Sequence, residues 1–202
     1  MMTTKFHPYA TDSKEREQLP VWFAILAIAL SYTVHLLVDH FHPSLPWYVD
    51  LWDPIAFYGL VYGIFARYAW RWPIWRRSGL VHIPDLNGHY VGSMRSSYDN
   101  HQESRPCEFD VHQTWTTIAI RGKFERSWSF NMVTGISVVD AVLPRLTYEY
   151  YNVPADAAPP SMHAHDGTMW FDVQNEDALR LNGNYYTGRD RNTTGTVEVT
   201  HE

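Results

Sequence analysis

The sequence predicts a membrane-anchored all-β protein: an N-terminal two-helix transmembrane hairpin followed by an eight-stranded antiparallel up-and-down β-barrel. Three observations carry this reading. An uncharged run fills Pro20–Val38, a second apolar run follows Pro54, and from Asn87 onward apolar and polar residues alternate with period two. The resulting division is a tail at 1–19, a helical hairpin at 20–78 with spans near 20–38 and 53–72, and a barrel domain at 79–202.

Composition narrows the function classes. The 202 residues carry a net charge of −6, which argues against a generic DNA- or RNA-binding protein. Nine tryptophans and thirteen tyrosines suit ligand stacking and membrane boundaries. Cys107 is the only cysteine, so an intrachain disulfide and a cysteine-based zinc site are both excluded.

The first span is nineteen residues without Asp, Glu, Lys or Arg, a helix of about 28 Å. Pro20 fits a first helical position and Trp22 an interfacial anchor. The run is longer than the apolar core of a cleaved signal peptide. The second span opens on Asp53 as cap and Pro54 as first residue, and its uncharged part, Pro54–Ala66, measures only about 20 Å. Arg67 and Arg71 can snorkel, and Trp70, Trp72 and Trp75 form an aromatic belt. The rival reading is a buried core helix of a soluble protein, which the neighbouring long span disfavours.

Lys5, Lys14 and Arg16 precede the first span, and Arg67, Arg71, Arg76 and Arg77 close the second. The connection from Asp39 to Asp53 has no Lys or Arg. The positive-inside rule therefore places both termini and the barrel in the cytoplasm of a multi-pass protein. Gly59 and Gly63 form a small-xxx-small pair through which helices of several copies can approach, although chance spacing in a glycine-containing span explains the pair equally well.

In the second part, strands are expected near 87–98, 105–113, 114–123, 126–135, 136–143, 145–152, 167–174 and 178–188. Residues 193–200 form a ninth, or the true eighth if 126–143 is one bent strand. The stretch "SWSFNM" sets Trp128, Phe130 and Met132 on one face and Ser127, Ser129 and Asn131 on the other. A closed barrel removes exposed edges, and a two-sheet sandwich is the alternative. The loop from Val153 to Gly167 is long enough for a lid.

"LNGHYVG" at Leu86–Gly92 is echoed by "LNGNYYTG" at Leu181–Gly188. In a meander the two strands run the same way, so both turns are expected at one rim with Tyr90 and Tyr185 at matched depth. Gly92 and Gly188 would open space for a ligand. The densest polar cluster, Asn184–Val197, holds Tyr185, Tyr186, Arg189, Arg191, Thr193 and Thr194. Arginine forks suit phosphates and tyrosine rings suit bases, yet a tight hairpin with exposed arginines reads the same. His163, His165 and Asp166 could hold a metal, but a loop turn accounts for them better, and no metal is expected. Neither a nucleophile elbow, a Walker loop nor a GxGxxG motif is present, so no catalysis is expected.

Two N-terminal spans, then "IPDLNGHYVGS", then a strand-rich domain ending in "LRLNGNYYTGRDRNTTGTVEV" resemble the SMODS-associating two-TM β-strand-rich effectors of bacterial CBASS antiphage defence. The resemblance covers essentially the whole chain. Many members carry Trp where Tyr90 stands, a change that keeps a stacking or packing role. The resemblance implies a barrel that binds a cyclic oligonucleotide, a cyclic dinucleotide among them, made by a partner CD-NTase. Binding would promote homo-oligomerisation and disrupt the lipid bilayer of the inner membrane, killing the infected cell. It also implies a ligand-binding role for Tyr90, Tyr185, Tyr186, Arg189, Arg191, Thr193 and Thr194. No resident cofactor is expected. The second reading is a membrane-tethered, lipocalin-like carrier of a small apolar ligand, which requires an apolar lumen with Ser127, Ser129 and Asn131 facing solvent. A third is an enzyme built on His163, His165 and Asp166.

Overall fold

The structure is a computed structural model that describes residues 5–41, 54–139, 141–159, 162–175, 178–189 and 191–202. The chain divides into two units: Met1–Ser13 with Ile83–Glu202, and Lys14–His82.

The first unit is a closed barrel of nine strands. Eight form the expected meander: β2 (Gly88–Ser96), β3 (Arg105–Gln113), β4 (Thr117–Phe124), β5 (Ser127–Ser137), β6 (Arg145–Pro154), β7 (His165–Asn175), β8 (Leu179–Thr187) and β9 (Thr194–His201). The stretch read as two strands near 126–143 is one strand, β5, bent by an irregularity between Asn131 and Val133. Closure through β2–β9 pairing excludes the sandwich.

The ninth strand was not foreseen. Residues His7–Thr11, read as part of a tail, form β1. It fills a seam where β4 and β5 part. Those two strands pair only from Arg121–Phe124 to Ser127–Phe130. Beyond that, Asn131 stands in for the missing ladder. Its Oδ1 accepts from Ile120 N at 2.8 Å, and its Nδ2 reaches Ile118 O at 3.3 Å. β1 then lies antiparallel to β4 through His7 and Pro8 and parallel to β5 through Tyr9, Ala10 and Thr11. A sequence of five residues with a proline carries no legible period, so the strand exists only because the seam's unpaired backbone groups need partners.

Register also corrects the reading of the repeated phrase. Leu86–Gly88 is a strand entrance, held by Asn87, whose Nδ2 donates to Asp85 and to Gln113 O. Leu181–Gly183 lies inside β8 and is no turn. On β9, Tyr90 is level with His201 and Tyr185 with Gly195. Six residues of strand, about 20 Å, separate the two tyrosines. β2 and β8 do run the same way, but barrel stagger offsets their starts.

The barrel core fills the end where β2 begins, with Tyr90, Phe109, Val111, Ile118, Leu146 and Phe171 buried. Cys107 belongs to this core, and burial pushes its thiol up to about 12, leaving it unreactive.

In the second unit, α1 spans Glu15–Phe41 and is long and apolar enough to cross a membrane. It starts earlier than expected, so Pro20 sits inside the helix rather than at its first position. Among the described residues α2 is Pro54–Arg67, about 21 Å long. The expected span to residue 72 is broken. A single 3₁₀ turn at Ala69–Arg71 follows, then Trp72 turns extended (φ −64°, ψ 136°) ahead of Pro73, as a residue before proline must. α3 is Pro73–Arg77. The two longer helices pack through Phe23 and Phe65, ring centroids 4.8 Å apart. Val21, Trp22, Ile25, Ile28, Tyr32 and Leu36 on α1 remain exposed, a surface suited to lipid. The expected Asp53 cap lies outside the described residues.

Candidate functional site

The mouth opposite the packed core is hollow. A cavity of about 720 Å³ opens among the β2–β3, β4–β5, β6–β7 and β8–β9 connections. Its depth follows from strand glycines. A side chain at Gly167 would collide with the Tyr150 ring, and one at Gly195 with the Tyr185 ring. The missing Cβ atoms let both rings lie against the wall, so these two glycines, rather than Gly92 and Gly188, shape the lumen. Gly92 instead permits close approach of the β9 backbone.

Aromatic groups occur at both levels. Tyr98 is 77% exposed at the rim, while Tyr150 and Tyr185 are buried in the wall. Burial raises both wall phenols above the ordinary tyrosine value, Tyr150 strongly, so they are neutral donors at physiological pH.

Arg105, Arg126 and Arg191 line the cavity with His163, His165, Glu103 and Glu125. The arginines differ in availability. Arg105 is clamped by Glu103 at 2.8 Å and Asp99 at 3.0 Å; the hydrogen bond to Glu103 foremost raises its pKa, and the pair neutralises its charge locally. Arg126 and Arg191 have no carboxylate partner among the described residues. Arg191 Nη1 lies 3.4 Å from His165 Nδ1. Burial first, and then the charge of Arg191, lowers the His165 pKa, while a hydrogen bond to the His163 carbonyl opposes the shift. No three metal-ligating groups converge among the described residues, His163, His165 and Asp166 included.

The residues singled out in the sequence separate. Tyr185, Arg191 and Thr193 line the cavity. Tyr186 and Arg189 are exposed and outside it, because residues alternate across the strand and Arg189 sits on the turn. Thr193 also locks that turn: its N–H donates to Thr187 Oγ1 at 2.9 Å, and its carbonyl accepts from Thr187 N at 2.9 Å. Thr194 donates from its backbone to Ser97 Oγ at 3.0 Å. Tyr90 is buried in the packed end, its hydroxyl donating to Leu86 O at 2.9 Å, and does not line the cavity. The cluster is thus split: Tyr185, Arg191 and Thr193 face the cavity, and Tyr186 and Arg189 lie on the outside of the hairpin.

Sequence reasoning missed Arg126, Tyr150, Asn152 and Tyr98. Arg126 stands in a two-residue turn that has no motif. The alternation of Ser127, Ser129 and Asn131 was visible, but not its direction. All three are buried, with Ser127 in the cavity wall beside Asn152.

Comparison with known proteins agrees with this geometry. Residues 81–201 match the family described as Cap15, cyclic dinucleotide receptor domain. A protein of Yersinia aleksiciae named CD-NTase-associated protein 15 is 26% identical over 183 residues, covering 88% of this chain and 84% of that protein. That likeness therefore extends beyond the barrel. Since the family match takes in more than half of the 202 residues, the chain belongs to the Cap15 cyclic dinucleotide receptor domain family.

Proposed function

We propose that the protein is a membrane-anchored effector of a CBASS antiphage system, activated when its barrel binds a cyclic oligonucleotide from a partner CD-NTase. The observation that carries this reading is the cavity: two arginines without carboxylate partners among the described residues, and three tyrosines, around about 720 Å³ in a chain of net charge −6. The volume falls in the roughly 300–1,000 Å³ range of small-molecule sites. Arg126 and Arg191 offer cations to a ligand with two phosphates, and Tyr98 offers an exposed ring to its bases. The apolar-carrier reading loses its premise, since Ser127, Ser129 and Asn152 are buried on the inward faces of their strands.

Barrel connectivity supports a two-pass arrangement. β1 precedes the helical unit and β2–β9 follow it, yet all belong to one barrel. Both ends of the helical unit must then lie on the same side of a membrane. If α1 crosses, the chain must return. Among the described residues the return through α2 is short, and such mismatch is relieved by thinning the bilayer or by oligomerising. The basic residues flanking the helices favour a cytoplasmic barrel and cytoplasmic termini at an inner membrane. Ligand binding then drives self-association and membrane disruption. This mechanism involves no catalytic step.

The test uses the full chain in lipid nanodiscs, with thermal unfolding followed in the presence of cyclic dinucleotides, cyclic trinucleotides or oleate. A cyclic oligonucleotide at a hundred times its Kd is expected to stabilise by about 2.7 kcal/mol. Stabilisation by oleate alone overturns the proposal.

The assembly step gives a second expectation. The α2 face at Gly59 and Gly63 is open: among the described residues no atom beyond the helix's own backbone lies within 4 Å of where a side chain would begin. Gly59→Ile with Gly63→Ile is expected to leave ligand affinity unchanged and to reduce ligand-triggered dye leakage from vesicles about tenfold, the equivalent of losing 1–2 kcal/mol of helix contact. Undiminished leakage removes these glycines as the contact.

A pH dependence follows from His165. Its ligand-free pKa lies below the ordinary value of about 6.5. Phosphates nearby favour the charged ring and raise it, so binding takes up a proton. Affinity is expected to rise as pH falls through the bound-state pKa, by about tenfold per unit of difference, and to level off below the free-state pKa. His165→Asn should flatten that profile in calorimetric titrations.

A further inference from the structure

The β5–β6 wall of the cavity carries a polar pair with an unused acceptor. Asn152 is 5% exposed, and its Nδ2 donates to Ser127 Oγ at 3.1 Å. Its Oδ1 is buried and meets no donor among the described residues. A buried amide oxygen without a donor is destabilising, so this wall favours a ligand that brings an N–H or O–H to it. Phosphate oxygens only accept and cannot fill that need. The cations suited to phosphate, Arg126 and Arg191, lie on turns rather than on this wall.

Tyr150 stands two residues before Asn152 on the same face of β6, about 7 Å along the strand. Its ring is buried, with Gly167 against it and the His165 ring edge-on, so it forms a side wall for an entering group rather than a stacking face. A base edge and a ribose hydroxyl both carry the donor that Asn152 Oδ1 lacks, and a hydrogen bond to a base edge also selects among bases.

Resting on the function proposed above, we infer that Asn152, held in place by Ser127, contacts the base edge of the ligand. Its Oδ1 accepts a ring or exocyclic N–H from one base of a cyclic dinucleotide, while the phosphates are held elsewhere in the cavity. The Ser127 hydroxyl proton remains available for an acceptor on the same edge.

The experiment measures affinities of the full chain in nanodiscs for four probes. These are cyclic di-UMP, its N3-methyluracil form, cyclic di-AMP, and its N6,N6-dimethyladenine form. Each is compared between wild type and Asn152→Leu. In wild type, methylation of the better-bound parent is expected to weaken binding about tenfold or more. In Asn152→Leu, parent and methylated ligand should bind within about threefold of each other. Ser127→Ala, which frees the amide to rotate, should show reduced discrimination and serves if Asn152→Leu does not fold. Equal binding of parent and methylated ligands by wild type overturns the assignment, as does discrimination retained in a folded Asn152→Leu. Coupling to a 2′-O-methyl ligand instead of a base-methylated one overturns it in favour of the ribose. A wild type that binds no cyclic dinucleotide removes the underlying function proposal itself, so the two failures are told apart.

Discussion

Arg191→Ala is expected to lower affinity for the best-binding cyclic dinucleotide by about ten- to hundredfold, the 1.5–3 kcal/mol of a charge-assisted hydrogen bond to phosphate. The residue is half-buried, lines the cavity and has no carboxylate partner among the described residues. Its guanidinium is therefore available without first breaking an ion pair. Arg191→Lys keeps the charge but loses the fork, so an intermediate loss is expected. Arg126→Ala should cost less, because Arg126 is exposed and water screens its charge. Arg189 makes the informative control. It is two positions away on the same turn, exposed and outside the cavity, and its alanine variant should bind within about twofold of wild type. Isothermal titration at two salt concentrations measures all four variants. Wild-type affinity in Arg191→Ala would remove this residue from the site.

The largest stability effect is expected at Tyr9. Its ring is buried at the β1 seam, and its hydroxyl donates to Trp115 O at 3.1 Å and accepts from Gln113 Nε2 at 3.2 Å. Gln113 in turn uses Oε1 to accept from Leu86 N at 2.8 Å, so one side-chain pair ties β1 to β3 and to the entrance of β2. Tyr9→Ala leaves a cavity and strands the Gln113 amide, a loss of about 3–5 kcal/mol. For a chain of this size that lowers Tm by roughly 6–20 °C. Tyr9→Phe keeps the ring and should cost about 1–2 kcal/mol. A barrel fragment beginning at Leu80 lacks β1 altogether and should be less stable than the barrel in the full chain, which bears on any attempt to study the ligand domain alone. Denaturant unfolding of the full chain checks the series. An unchanged midpoint in Tyr9→Ala would show that β1 does not hold the seam closed.

Much of the barrel was legible because strand formation on a half-buried surface leaves a period-two signature in consecutive residues. Leu146, Tyr148 and Tyr150 alternate with Arg145, Thr147 and Glu149, and β6 follows them. The candidate site was only partly legible. Tyr185, Arg191 and Thr193 stood out as a cluster in sequence, whereas Arg126, Tyr150 and Asn152 join it from other strands. Nothing in a local window marks residues that meet across a lumen.

The sequence by itself determined the order of parts, the alternation of the meander strands, the apolar helix before them, and the exclusion of an intrachain disulfide. These depend on local composition and short-range periodicity, which each segment carries alone. Only the tertiary structure decided that His7–Thr11 closes the barrel, that Tyr90 and Tyr185 lie at opposite ends, and that the Ser127–Ser129–Asn131 face points inward. Those outcomes depend on stagger, closure and which seam is left unpaired. Such quantities arise when strands distant in sequence must satisfy one another's backbone groups, and a period-two pattern is the same whichever face becomes the inside.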